Sequence, residues 1–265
     1  MKKTFSIILA ALFVCFALVP AFAADGVNAV VTICDGSQTP ALACADVAVT
    51  DKDADGALTI YDALYCAHEL FFADGAAGFG TATTDYGPSL TKLWGKTSPS
   101  GYGFGYYVND VSAWSLTDTI KDGDYVAAFL YTDTQYFTDA YSYFDVKSAS
   151  VKAGESVTLT LSKLAWVAAP TEEDPYAGSM QASSVANAKV LIDGKETDVV
   201  TDENGKAVVT FTEAGTHIVS AKSADGVIVP PACKVNTASL SFFQKIVKFF
   251  RNIFEALKKL FTFKK

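Results

Sequence analysis

Three aspartates at alternate positions followed by glycine, in Asp51-Lys52-Asp53-Ala54-Asp55-Gly56, set the sharpest constraint on this chain. Like charges so close repel, and each carboxylate needs water, a donor or a cation. The run suits a turn wrapped around a hard cation such as Ca²⁺, which takes about six to eight oxygen ligands. Gly56 permits the sharp turn, and the Ala57 carbonyl offers a backbone oxygen. Thr59 can bind directly or through water, and Asp62 would close the cage from the first turn of a following helix. The candidate ligands are therefore Asp51, Asp53, Asp55, Ala57, Thr59 and Asp62, and the expected cofactor is Ca²⁺. Leu58 would point inward and tie the loop to a core. The preceding Ala45–Val49 suits a strand, so the expectation is strand, loop, helix.

The pattern is EF-hand-like, with Asp rather than Glu at its twelfth position. In that respect it resembles one loop of a type I dockerin repeat. A dockerin carries two such loops, and no second is found. Asp122-Gly123-Asp124 and Asp202-Glu203-Asn204-Gly205 lack the alternating carboxylates and read as turns. Dockerin-like docking to a partner is therefore only an alternative reading.

The first 23 residues read as an export signal. Met1-Lys2-Lys3 is followed by an apolar run from Phe5 to Val19, then Ala21-Phe22-Ala23, with cleavage expected after Ala23. Cys34, Cys44, Cys66 and Cys233 would remain, enough for two disulfides in three connectivities. Cys34 and Cys44 flank a turn-rich connection, which suits a local bridge but leaves the pairing open. Residues 24–236 carry 12 basic and 28 acidic side chains, a balance that repels nucleic acid.

Elements alternate in the first half. Val27–Ile33 and Ala45–Thr50 read as strands, and Ile60, Leu64, Ala67 and Phe71 recur at helical spacing over about Ile60–Phe72. Ser89–Trp94, Tyr102–Val108 and Asp124–Thr132 follow as strand candidates, giving an α+β pattern. Asp62-Ala63-Leu64, Gly105-Tyr106-Tyr107-Val108-Asn109 and Ile120-Lys121-Asp122-Gly123-Asp124-Tyr125-Val126 resemble the transcobalamin-like C-terminal domain family over roughly 26–133. That resemblance implies a small β-grasp-like fold in an exported protein. Cobalamin binding is not carried over, because the helical barrel that accompanies this domain in cobalamin carriers is absent.

The aromatic and acidic stretch from Tyr131 to Asp145 suits a domain junction, with a sugar- or peptide-stacking surface as the alternative reading. After it, Val146–Val151, Ser156–Leu161, Ala188–Ile192, Ala207–Phe211 and Thr216–Ala221 alternate apolar and polar residues, as half-buried strands do. With their intervening turns and Val229-Pro230-Pro231, these segments resemble a bacterial immunoglobulin-like domain, usually a spacer or adhesion module. The expected fold class is mostly β. Residues 24–137 form an α+β, β-grasp-like domain with the loop at 51–62, 138–236 an Ig-like β-sandwich, and 237–265 a terminal amphipathic helix.

That last segment has the clearest periodicity. Phe243, Ile246, Phe250, Ile253, Leu257 and Leu260 step by three and four, Phe254 and Phe261 widen the stripe, and Lys245, Lys248, Arg251, Lys258 and Lys259 occupy the remaining face. A basic, Phe-rich helix suits a membrane surface or an anionic envelope polymer, and it is too charged to span a bilayer. Coiled-coil pairing and docking on the protein's own domains are the competing readings.

The inventory for catalysis is thin. His68-Glu69 lacks the second histidine of a zinc-protease helix, and His217 reads as a structural strand histidine. No nucleophile elbow, phosphate loop or dinucleotide fingerprint occurs. The expectation is a secreted, envelope-associated, calcium-binding adhesion or binding module that is not an enzyme. The alternative is a soluble binder of a small ligand or glycan, with a pocket in the first domain near Trp94, Tyr106, Tyr107 and Trp114.

Overall fold

In a computed structural model, residues 26–85, 87–98, 103–133, 135–136, 138–174 and 177–239 are described. The expected leader at 1–23 and the expected amphipathic stripe from Phe243 onward lie outside them.

The chain starts with an antiparallel hairpin of β1 (Val27–Cys34) and β2 (Leu42–Val49). Val31, Ile33, Val47 and Val49 supply its inward face, each at most 1 % exposed. The single α-helix of the described residues, α1 (Ile60–Phe71), packs on that face through Ile60, Ala63, Leu64 and Ala67, all fully buried. A 3-10 turn (Gly75–Gly78), a small sheet of β3 (Gly80–Thr84), β4 (Gly87–Leu93) and β5 (Lys96–Thr97), and the hairpin of β6 (Phe104–Val108) and β7 (Val111–Ser112) follow. The last strand, β8 (Tyr125–Leu130), inserts between β1 and β6. The resulting order is β2-β1-β8-β6-β7, with β8 parallel to β1 and antiparallel to β6. Parallel pairing needs a long crossover, and α1 lies within it. Gly105 lets β6 cross Phe129: a Cβ there would lie 2.3 Å from the ring.

The second half is all β. One sheet runs β10 (Ser148–Lys152), β17 (Cys233–Ala238), β16 (Gly215–Lys222), β13 (Lys189–Ile192), β14 (Lys195–Val200). Facing it, β11 (Ser156–Ala168) pairs with β12 (Gly178–Ser184), β15 (Lys206–Thr210) and β9 (Ser142–Phe144). Phe144, Leu159, Leu161, Val190, Val209, Val219 and Val235 from both sheets form one core, as alternating strands require. Two sequence boundaries move. Thr237 and Ala238 lie in β17, paired with Gly215 and Lys152, rather than opening the terminal helix. β11 continues past Leu161 to Ala168, because its outer part pairs with the exposed strand β12.

The two halves share a seam. Tyr141 stacks on Tyr107 at 3.9 Å and 6°, and Val229, Ala232 and Tyr141 meet Tyr125, Ala127 and Phe129 in one buried cluster. The Tyr141 hydroxyl and the Lys147 ammonium both donate to Asp110 Oδ1, at 2.8 and 2.7 Å, and Lys147 lies over the Tyr125 and Tyr143 rings. Lys234 reaches across to Asp46 at 2.7 Å.

All four described cysteines are buried thiols, so the local Cys34–Cys44 bridge is not formed. The two residues are not cross-strand partners: Cys34 pairs with Phe129 of β8, while Cys44 lies at the bulge in the β1–β2 pairing. The Cys34 Sγ instead points at the Pro230 carbonyl, 3.5 Å away, and Cys44 packs on the Thr32 hydroxyl.

Candidate metal loop and aromatic surfaces

The loop between β2 and α1 turns back on itself through its own carboxylates. Asp51 accepts from the Ala54 N–H at 2.7 Å and the Gly56 N–H at 3.0 Å, and Asp55 accepts from the Ala57 N–H at 2.8 Å. The wrap requires left-handed backbone at Ala54 (φ +60°) and Gly56 (φ +87°), and glycine adopts that freely. Carboxylate oxygens of Asp51, Asp53 and Asp55 come within 4.8 Å of one another on the exposed side. Lys52 turns away to Glu69 at 2.6 Å, so it does not neutralise them. A slight loss of water around it, and then the charges of Asp55, Asp62 and Asp51, push the exposed Asp53 carboxyl above its ordinary pKa.

Asp62 and Thr59 behave differently from the sequence expectation. Asp62 is fully buried, accepting from the Lys52 N–H through one oxygen and from the Thr59 N–H and hydroxyl through the other. Thr59 is the N-cap of α1, and the two residues form a reciprocal capping box. The requirement to satisfy the first amides of a buried helix end takes both side chains inward. They brace the loop from beneath, while the three aspartates converge above. Hard oxygen donors, a tight turn and uncompensated like charge fit a calcium ion held by Asp51, Asp53 and Asp55.

The far side of the loop is tied to the segment before β8. The Ile120 N–H donates to the Leu58 carbonyl, Thr59 bridges Thr119, and the Ile60 and Tyr61 N–H groups donate to Asp118 and Leu116. Leu116, fully buried, anchors that segment in the core.

The four aromatics of the expected pocket do not converge. Trp94 packs on His68 and Phe72. Tyr107 faces the seam, and its neighbour Tyr106 emerges on the opposite face of β6, as strand alternation demands. Only Tyr106 and Trp114 share a recess, of about 320 Å³. Sequence reasoning missed the Asp110–Lys147–Tyr141 constellation, whose members lie 31 and 37 residues apart and carry no local signal.

Both histidines are fully engaged. His68 bonds the Leu64 carbonyl and the Trp94 N–H, and His217 bonds Asp193 and the Glu213 carbonyl. Asp174 lies in the exposed β11–β12 turn, bonded to Thr171.

No family model matches the sequence, and no curated protein matches it. Among solved structures, one described as "Tandem Ig repeats of Dlar" is similar over 52 % of this chain and 82 % of its own, with 8 % identity and a TM-score of 0.22. At that level the likeness carries no argument.

Proposed function

We propose that this protein is a secreted, envelope-associated, non-catalytic binding or adhesion module whose first unit is held by calcium. The observation that carries the proposal is the convergence of the Asp51, Asp53 and Asp55 carboxylates on one exposed side of a turn that joins a buried strand to a buried helix. Without a cation their repulsion opposes the fold; with one it becomes the closure of the loop. The ion is structural in this reading, and three protein carboxylates suit the weak range of extracellular modules, about 0.1–1 mM.

The sheet order β2-β1-β8-β6-β7, with first and last strands parallel and one helix across, supports a β-grasp-like assignment of the first unit. Two facing sheets around one core support an Ig-like spacer. Export and envelope association rest on the sequence of residues 1–23 and 237–265.

The crowding of the Asp53 carboxylate against Asp51 and Asp55, with its raised pKa, gives a test. An acid whose folded pKa lies above its unfolded value destabilises the fold when it ionises. Asp53→Asn therefore raises the melting temperature in chelator and removes the calcium-dependent rise. A melting temperature lowered equally in both buffers counts against the loop. For the tail, flotation on anionic liposomes with and without residues 240–265 separates the readings: equal flotation removes the envelope association.

A further inference from the structure

The outer part of the β11–β12 hairpin stands in solvent. Trp166 and its cross-strand partner Met180 are 59 and 41 % exposed, and every residue of β12 from Ser179 to Ser184 is exposed. The pairing is regular, running from Ser162↔Ser184 to Ala168↔Gly178 without a bulge. Among the described residues β12 pairs with β11 alone, so its other side is a bare edge. Edges of this kind are ordinarily blunted by lysine, proline or a bulge, because unpaired amides and carbonyls invite another strand. Gly178-Ser179-Met180-Gln181-Ala182-Ser183-Ser184 has none of these, and it carries no charge.

The ladder fixes which backbone groups face outward. The Ala169 N–H donates to the Ala177 carbonyl at 2.7 Å, and the Val185 N–H to the Leu161 carbonyl at 3.1 Å. Hydrogen-bonded pairs alternate along an antiparallel ladder, so Ser179, Gln181 and Ser183 use their backbone groups inside the hairpin. Gly178, Met180, Ala182 and Ser184 turn theirs outward.

That parity selects the occupant. A two-fold axis at Gln181 sets Met180 against Ala182, and Gly178 against Ser184, of a second copy. Each pair joins outward groups to outward groups, so the ladder closes over the whole strand. On one face, Trp166 and Met180 of one copy continue into Ala182 and Leu164 of the other as a single apolar row. Gly178 leaves room for the indole on that face, since a Cβ there would lie 2.5 Å from it. On the other face the two Gln181 side chains meet at the axis, flanked by Ser179 and Ser183. Like charges directly opposite one another oppose such pairing. Residues 24–236 carry 28 acidic side chains against 12 basic ones, yet this strand brings none of them to the axis.

We infer that β12 is a self-complementary edge through which two copies of this chain pair, antiparallel about Gln181, into one continuous sheet. This goes beyond the binding role proposed above and makes no use of the calcium loop.

Sedimentation equilibrium of residues 24–265 from about 1 to 300 μM tests it, a range suited to the weak end of specific interfaces. The expected result is a monomer–dimer equilibrium. Ala182→Pro removes an outward N–H from each copy and leaves the hairpin's own ladder intact, so it should weaken the dimer about tenfold or more. Gln181→Lys should do the same by setting like charges face to face, and mixing it with Gln181→Glu should restore a dimer of the two variants. That rescue also shows that both variants are folded. A monomer throughout the range overturns the inference. A dimer that neither Ala182→Pro nor Gln181→Lys weakens overturns it too, and moves the contact to another surface of the chain.

Discussion

Tyr141→Ala should cost about 3–5 kcal/mol and split one unfolding transition into two. The ring is 3 % exposed and lies flat on Tyr107, with Phe129 and Tyr143 beside it. Truncation opens a cavity in the buried seam between the two units. It also removes a hydroxyl donor from Asp110, leaving that carboxylate to Lys147 alone. Burial, followed by the nearby Tyr125 and Asp110, drives the Tyr141 phenol well above its ordinary pKa, so the hydroxyl remains a donor across the physiological range. Tyr141→Phe keeps the stack and loses only the hydrogen bond, for about 1–2 kcal/mol. Urea unfolding followed by intrinsic fluorescence measures both. A loss below about 1 kcal/mol for the alanine variant would mean the seam does not couple the halves.

Acidification from pH 7 to 5 should weaken the first unit through His68. This side chain is fully buried among Phe79, Trp94 and Phe72. Its Nδ1 lies 2.6 Å from the Leu64 carbonyl and its Nε2 accepts from the Trp94 N–H at 2.9 Å, a pattern that only the neutral ring with its proton on Nδ1 completes. Burial lowers its pKa below 6.5, although the Leu64 carbonyl favours the cation. With the folded value depressed, neither state takes up a proton well above pH 6.5. Below it the unfolded chain does so first, and stability falls with pH. The slope contributed is at most about 1.4 kcal/mol per pH unit. Melting curves at pH 7, 6 and 5 should fall more steeply for the native protein than for His68→Gln, which keeps an acceptor but cannot titrate. Equal slopes would assign the acid sensitivity to carboxylates elsewhere.

What the sequence reveals and conceals follows from the range of the interactions. The helix is legible because Ile60, Leu64 and Ala67 repeat at its period and all reach the core, and of the four periodic residues only Phe71, at the C-terminal end, stays exposed. The three loop aspartates are legible because alternate residues of a tight turn must meet. Asp62 is not, since a carboxylate in a first helical turn can ligate or cap, and only burial decides between them. Tyr106 and Tyr107 look equivalent as a pair, yet strand alternation sends one to a surface recess and the other to the seam. β12 and β14 escape notice because their exposed faces leave little apolar alternation to read. The Asp110–Lys147 pair depends on how two units dock, for which no local pattern exists.

The central claim is that Asp51, Asp53 and Asp55 hold a calcium ion that stabilises the fold, and calorimetric titration of Ca²⁺ into chelator-stripped residues 24–265 tests it most directly. One site is predicted, absent in the Asp53→Ala/Asp55→Ala variant, with a stabilisation of about 1.4–2.7 kcal/mol when calcium exceeds the dissociation constant by about ten- to a hundredfold. No heat and no rise in melting temperature at about 10 mM calcium, beyond the range expected for such a site, would contradict it and leave the loop a solvated acidic turn.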